Sequence, residues 1–220
     1  MNFFYRLYRK IGIVFKLNFV GFYQSLYWKN EGKKQKIRFN YKLHEGDVVF
    51  DLGAFRGSFS EKVYNENSRY FLFDTNPTMV DFLKKKFIKK ENVSIYPFGL
   101  GERDIYGKAK KSFSPWAQAG ASFRETSNEN IIIKDFLKFC QEKNINEIKV
   151  LKINIEGAEY NLMKYLHEND FLKNIQHIQI QPHDFENESL GNLLELHKNL
   201  HETHKLKSSY PFVWDFWERK

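Results

Sequence analysis

The segment VVFDLGAFRG, Val48 to Gly57, ends an apolar run with a carboxylate and continues into a turn that carries two glycines. This is the pattern of a strand, a tight turn and a helix start, and such a turn lets a ligand lie against backbone amides. Gly53 and Gly57 remove the β-carbons that would obstruct it, and Ala54 and Ser58 keep the neighbouring side chains small. The G-x-G-x-x-G spacing of dinucleotide sites would need glycine at position 51, where this chain has Asp51. A carboxylate there has little use for a pyrophosphate, but it can attract an α-ammonium group directly or through water. An NAD-dependent oxidoreductase is the competing reading of the turn, and the missing glycine counts against it.

Two further strings complete the constellation. The run YFLFD ends in Asp74, about twenty residues beyond the turn, where a carboxylate offers two acceptor oxygens to two ribose hydroxyls. The alternative for Asp74 is capping, because Asp-Thr-Asn-Pro could simply open the next helix. In VLKINIEGAEYNLM, Lys152, Asn154 and Glu156 alternate along an otherwise apolar strand and so share one face. Polar groups on a buried strand are costly unless they are paired or functional. Asn154 and Glu156 are expected to border a crevice at the carboxyl ends of the strands, and a Lys152–Glu156 ion pair is the structural alternative.

The next strand runs into His183, so His183 and Glu156 are the candidates to take a proton from a reacting hydroxyl, with His183 preferred. A lone histidine is more often structural, and Asp184 is a candidate to orient this one. His197 and His201 stand four apart, a spacing able to hold a metal, and His204 follows. No H-E-x-x-H is formed, and Leu193, Leu194 and Leu200 mark a packing helix, so no metal is expected.

Strands near 48–53, 70–74, 93–99, 149–155 and 176–182 must position these groups, separated by helices near 58–66, 77–88, 131–143 and 158–168. Asn76 and Pro77 read as an N-cap and a first-turn proline. A further helix near 188–202 and a Trp-rich tail, expected to supply the last antiparallel strands, end the chain. The alternation predicts an α/β fold, doubly wound around a mainly parallel sheet. Gly101 to Asn130 lacks helical period and reads as a hairpin and a loop, where Phe113, Trp116 and Phe123 could stack on a sugar or merely pack.

The strings VVFDLGAFRGSFS, FLFDTNP and KINIEGAE together resemble the FkbM-type methyltransferases, over about residues 40 to 220. The resemblance implies a class I, Rossmann-like methyltransferase fold with a seven-stranded sheet, S-adenosylmethionine as cofactor, and O-methylation of sugars or other small metabolites. Asp51, Gly53, Ala54, Gly57, Ser58, Asp74 and Asn154 are then the expected cofactor residues. The family usually has Glu at the place of Asp74 and often Asp at the place of Asn154; Glu156, Gly157 and Glu159 match its pattern. The departure at Asn154 motivates a third reading, a methyltransferase-like protein that binds the cofactor without catalysis.

Of the 220 residues, 42% are hydrophobic and 17% aromatic, enough apolar material for one compact domain and too much for a disordered chain. Lys and Arg number 35 against 27 Asp and Glu, a net charge of +8 that favours anionic partners or surfaces. Nucleic acid is not the expected substrate. The Asn/Asp-Pro-Pro-aromatic motif of adenine-N6 enzymes is replaced by Asn-Ile-Glu-Gly, and the single Cys140 lies on a helical apolar stripe, where a buried, inert thiol is expected. We divide the chain into an aromatic, basic extension, 1–40, and a methyltransferase domain, 41–220. Residues 1–30 could cap the domain or lie at a membrane surface. Charges interrupt any signal-peptide core and any membrane-length apolar run, so a cytoplasmic location is expected.

Overall fold

The computed structural model describes residues 25–27, 29–30, 36–108, 130–184 and 189–220. Seven strands form the main sheet: β1 (Val48–Leu52), β2 (Arg69–Phe73), β3 (Val93–Tyr96), β7 (Ile148–Ile153), β8 (Ile175–Ile180), β9 (His204–Tyr210) and β10 (Trp214–Arg219). Their order is β3-β2-β1-β7-β8-β10-β9. The first five run parallel, and β10 lies antiparallel between β8 and β9. The order reverses between β1 and β7, the point at which an open α/β sheet leaves a crevice outside its strand ends.

The strand sequences explain this burial. All five residues of β1 are buried, as are five of six in β7, the mark of strands covered on both faces. On one face Phe50, Phe71 and Phe73 meet Phe136 and Phe139 of α4 (Phe136–Glu142), Leu162, Met163 and Leu166 of α5 (Glu159–Glu168), and Leu193, Leu196 and Leu200 of α6 (Ser189–Thr203). On the other, Val49, Leu72 and Val150 meet Phe59 of α2 (Ser58–Lys62) together with Leu83 and Phe87, at the end of α3 (Pro77–Lys86). Phe39, which ends α1 (Lys36–Phe39), and Tyr41 lie against that second face. Tyr27 is buried over β9 and β10 with Val213, Trp214 and Phe216. The remaining aromatic residues of the proposed membrane segment, Trp28 included, lie outside the described residues. Among the described residues no helix is long and apolar enough to cross a membrane.

Two elements differ from the sequence reading. The helix expected from 131 starts at Phe136, because Ile131–Ile133 are β-branched and form part of β6 (Asn130–Asp135). Asp135 then caps α4, its Oδ1 accepting from the amides of Leu137 and Lys138. The strand expected over 93–99 is cut at Pro97, and Gly99–Gly101 becomes β4. With β5 (Ile105–Lys108), β4 and β6 form a separate three-stranded sheet. The loop aromatics Phe113, Trp116 and Phe123 lie outside the described residues.

At Gly53 the backbone beyond β1 packs tightly against the backbone beyond β7. The φ of Gly53 is +69°, and a β-carbon there would sit 1.9 Å from the carbonyl oxygen of Asn154. A Gly53→Ala substitution is therefore expected to cost about 3 kcal/mol or more in urea unfolding. Gly107→Ala, which meets nothing within 4 Å, should stay within about 0.5 kcal/mol of the parent.

Candidate active site

The turn after β1 is fastened from three sides. Its Gly53 and Ala54 amides both donate to the Phe73 carbonyl, each at 3.0 Å, which ties it to the end of β2. The Asn154 amide donates to the Leu52 carbonyl at 3.0 Å, which ties it to the end of β7. Gly57, at φ +66°, caps α2 with no room for a β-carbon, since Phe87 Cε2 would lie at 2.6 Å and Leu83 Cδ2 at 2.8 Å. Both glycines thus answer to close packing within the protein, a demand that the sequence reading had assigned to an approaching ligand.

The acid of this turn is also engaged internally. Asp51 is fully buried, Lys152 Nζ lies 2.8 Å from its Oδ1, and the Ser60 hydroxyl donates to its Oδ2 at 2.7 Å. Lys152 therefore pairs with Asp51, and the structural alternative that paired it with Glu156 is corrected. The two strands are in register here, with Asp51 opposite Lys152, so both side chains emerge on the same face. Sequence alternation identifies Lys152 as unusual; it does not reveal which neighbouring strand carries the counter-charge.

Asp74 stands just beyond β2, almost buried, with Oδ2 accepting from the Phe55 amide at 2.8 Å and Oδ1 from the Asn76 amide at 2.9 Å. Helix capping, the alternative for Asp74, is carried out by Asn76, whose Oδ1 accepts from the amides of Thr78 and Met79. Burial raises the Asp74 carboxyl above the ordinary aspartate value, and the two amide bonds offset part of that shift. Each oxygen keeps a lone pair for a hydroxyl donor. Beside the turn, Asn154 Oδ1 is buried with no hydrogen-bond partner. A shielded carboxylate with spare acceptors and an orphaned amide oxygen fit an adenosyl ligand: Asp74 would hold the ribose, and Asn154 Oδ1 would meet a donor on the amino-acid end.

At the ends of β7 and β8 a second cluster forms. Glu156 adopts φ +55° and Gly157 φ +102°, a turn that delivers the chain into α5. Glu159 in the first helical turn is fully buried, and its Oε2 accepts from the Gly157 amide at 2.8 Å. Its Oε1 accepts from the His183 amide at 2.7 Å and faces His183 Nδ1 at 2.9 Å. His183 Nε2 lies 3.8 Å from Glu156 Oε2, and the Tyr160 hydroxyl donates to the His183 carbonyl at 2.8 Å. The two candidate proton acceptors are thus adjacent. The carboxylate that orients the imidazole is Glu159, where the sequence reading had suggested Asp184. A glutamate in the first turn of a helix ordinarily reads as a complement to the helix dipole, and that masks its role. Burial by itself would lower the His183 value. The hydrogen bond and charge of Glu159, with the Glu156 charge behind them, outweigh it and raise the imidazole above the usual histidine range.

The three histidines near the C-terminus are not gathered together. His197 Nε2 faces Asp215 Oδ2 at 2.7 Å, the His201 ring packs edge-on to Trp217, and His204 Nε2 donates to the Ile175 carbonyl. Among the described residues no group of three potential ligands could hold a metal ion.

The model of the methyltransferase FkbM domain matches residues 1–206, and so takes in the N-terminal segment and the strands from β1 to β8. A Streptococcus mutans protein assigned as a methyltransferase and crystallised with S-adenosylhomocysteine (SAH) is 9% identical. That alignment covers 85% of this chain and 96% of the other, with a TM-score of 0.50. An rRNA methylase from Streptococcus thermophilus is 10% identical, covering 84% of this chain and 93% of the other at a TM-score of 0.46. The N-methyltransferase NodS of Bradyrhizobium japonicum, solved with SAH, is 9% identical, covering 87% and 86% at 0.42. At such identities the likeness is one of fold. No curated protein matches the chain.

Because folding raises the His183 value, its contribution to stability is complete below the unfolded value of about 6.5 and is lost as pH rises through the folded one. Removing the Glu159 charge leaves burial opposed by weaker groups. In Glu159→Gln the ring-proton NMR titration of His183 is therefore expected to move to lower pH; an unmoved midpoint would contradict this assignment.

Proposed function

The chain belongs to the FkbM methyltransferase family and takes S-adenosylmethionine as its cofactor, and on that footing we propose that it methylates a hydroxyl of a sugar, a glycan or a related small metabolite. The observation that carries this reading is the Glu159–His183–Glu156 cluster at adjoining strand ends. A hydroxyl must lose its proton as it is methylated, and a base within hydrogen-bond reach makes that loss easier. When bound, the cofactor's sulfonium supplies an electrophilic methyl group to an oxygen held in line with it. Glu159 selects the tautomer with the proton on Nδ1, which makes Nε2 the accepting nitrogen. Glu156, 3.8 Å from Nε2, stabilises the imidazolium that results. Tyr160 and the Glu159 carboxylate fix the backbone of His183 from both of its polar groups, so the ring is aimed before an acceptor arrives.

The acceptor in this reading is not a nucleic acid. Strand β7 runs into Asn-Ile-Glu-Gly in place of an Asn/Asp-Pro-Pro-aromatic motif. Cys140 cannot serve as a nucleophile towards a base, because it is buried in the core and burial pushes its thiol up to about 12.

Methyl transfer from radiolabelled S-adenosylmethionine to a panel of hydroxyl acceptors tests the proposal. His183→Ala is expected to lower turnover by about 10²–10⁴-fold, with SAH affinity kept within about twofold. Full activity in that variant would move the base to Glu156, and methylation of amine acceptors alone would overturn the choice of oxygen.

A further inference from the structure

Lys152 is 4% exposed, and its ammonium group faces three oxygens: Asp51 Oδ1 at 2.8 Å, the Gly53 carbonyl at 2.7 Å and the Leu52 carbonyl at 3.3 Å. Of the three N–H donors of an ammonium, two go to the Gly53 and Leu52 carbonyls, and the Asp51 carboxylate neutralises the charge at ion-pair distance. Two of its acceptors are backbone carbonyls of the turn that leads from β1 to the cofactor residues. Asp51 is fully buried and its second oxygen is taken by Ser60. We propose that Lys152 is a positioning residue of the cofactor turn, and that Asp51 serves as its counter-ion and does not recognise the α-ammonium group of the cofactor.

The argument is one of charge and access. A ligand ammonium attracted to Asp51 would have to compete with a lysine ammonium already in contact with it, inside a site from which water is excluded. Removing either partner would strand the other charge in the interior, which is far costlier than removing both. The pair is therefore kept for what it holds in place. The Leu52 and Gly53 carbonyls point at Lys152, and this orientation fixes the peptide planes on which Gly53 and Ala54 donate to Phe73. The inference rests on S-adenosylmethionine binding and is independent of the acceptor.

The test compares calorimetric binding of SAH with that of its des-amino analogue, in which hydrogen replaces the α-amine. In Asp51→Asn the ratio of the two affinities is expected to stay within about twofold of the parent value. In Lys152→Met both ligands are expected to weaken together by about tenfold or more, with the ratio retained, as follows when the groups supporting a site are loosened. Should Lys152→Met fail to fold, the double variant Asp51→Asn/Lys152→Met, which leaves no buried charge, makes the same comparison. A ratio that collapses towards one in Asp51→Asn would show that Asp51 reads the ammonium directly. Unchanged affinity for both ligands without Lys152 would remove its positioning role. Neither measurement uses an acceptor, so their failure is distinct from failure of the hydroxyl reading.

Discussion

A single ion pair, Lys152 to Asp51, joins the two strands between which the sheet reverses its order. It belongs to a row of three polar side chains in register across the face: Asp51 on β1, Lys152 on β7 and Gln179 on β8. A row of this kind inside an apolar layer is tolerable only when both of its ends are satisfied. Ser60 closes the β1 end. At the β8 end the Gln179 amide, in the orientation that satisfies both of its atoms, donates to the Arg38 carbonyl and the Tyr41 hydroxyl and accepts from Arg38 Nε. The Arg38 guanidinium lies over the Trp214 ring, 4.3 Å from its centroid, so the same side chain spans from β8 to β10. The pair on β1 and β7 thus holds the turn after β1, and Gln179 beside it on β8 holds the segment before β1.

The Glu159–His183–Glu156 cluster is built on the same strands but by different means. Glu159 gathers three donors from two elements, the Gly157 amide at the head of α5 and both the amide and the ring of His183 beyond β8. Positive φ at two successive residues, Glu156 and Gly157, makes this possible, because the chain must turn sharply enough to bring Glu159 back over the strand ends. Glutamate is unusual in that conformation, and strained backbone of this kind gathers at functional sites. The turn after β1 also has positive φ, at Gly53 and Phe55. Two turns with positive φ thus stand one on each side of the reversal in strand order.

Much of this could be read from the residues. The strands β1 and β2 were legible as short apolar runs that lead to an acid, and β7 and β8 as short segments rich in Ile, Val and Leu with polar residues interspersed. The Asn76-Pro77 start of α3 was legible because capping is local chemistry. What escaped depends on partners far away in sequence. Asp51 and Lys152 are one hundred and one residues apart, and no periodicity connects them. Glu159 and His183 are separated by a helix and a strand, so the pair forms only once β7 and β8 lie side by side. The error at 131–135 has a different origin: three consecutive isoleucines satisfy a helical stripe and a strand equally well, and pairing with β5 decided between them.

The contact between Tyr41 and Gln179 spans 138 residues. As the chain is synthesised, Tyr41 and Arg38 emerge long before their partner exists, and β1, β2 and β3 can pair with one another while that edge of the molecule is still open. The polar row is completed only when β8 arrives, and β10, later still in the sequence, then pairs antiparallel with β8. Such non-local closures are slow steps in folding, since the loop they close must be ordered before any contact rewards it. The turn after β1 therefore emerges well before His183, and the two stand at the same end of the parallel strands only once β8 has joined the sheet.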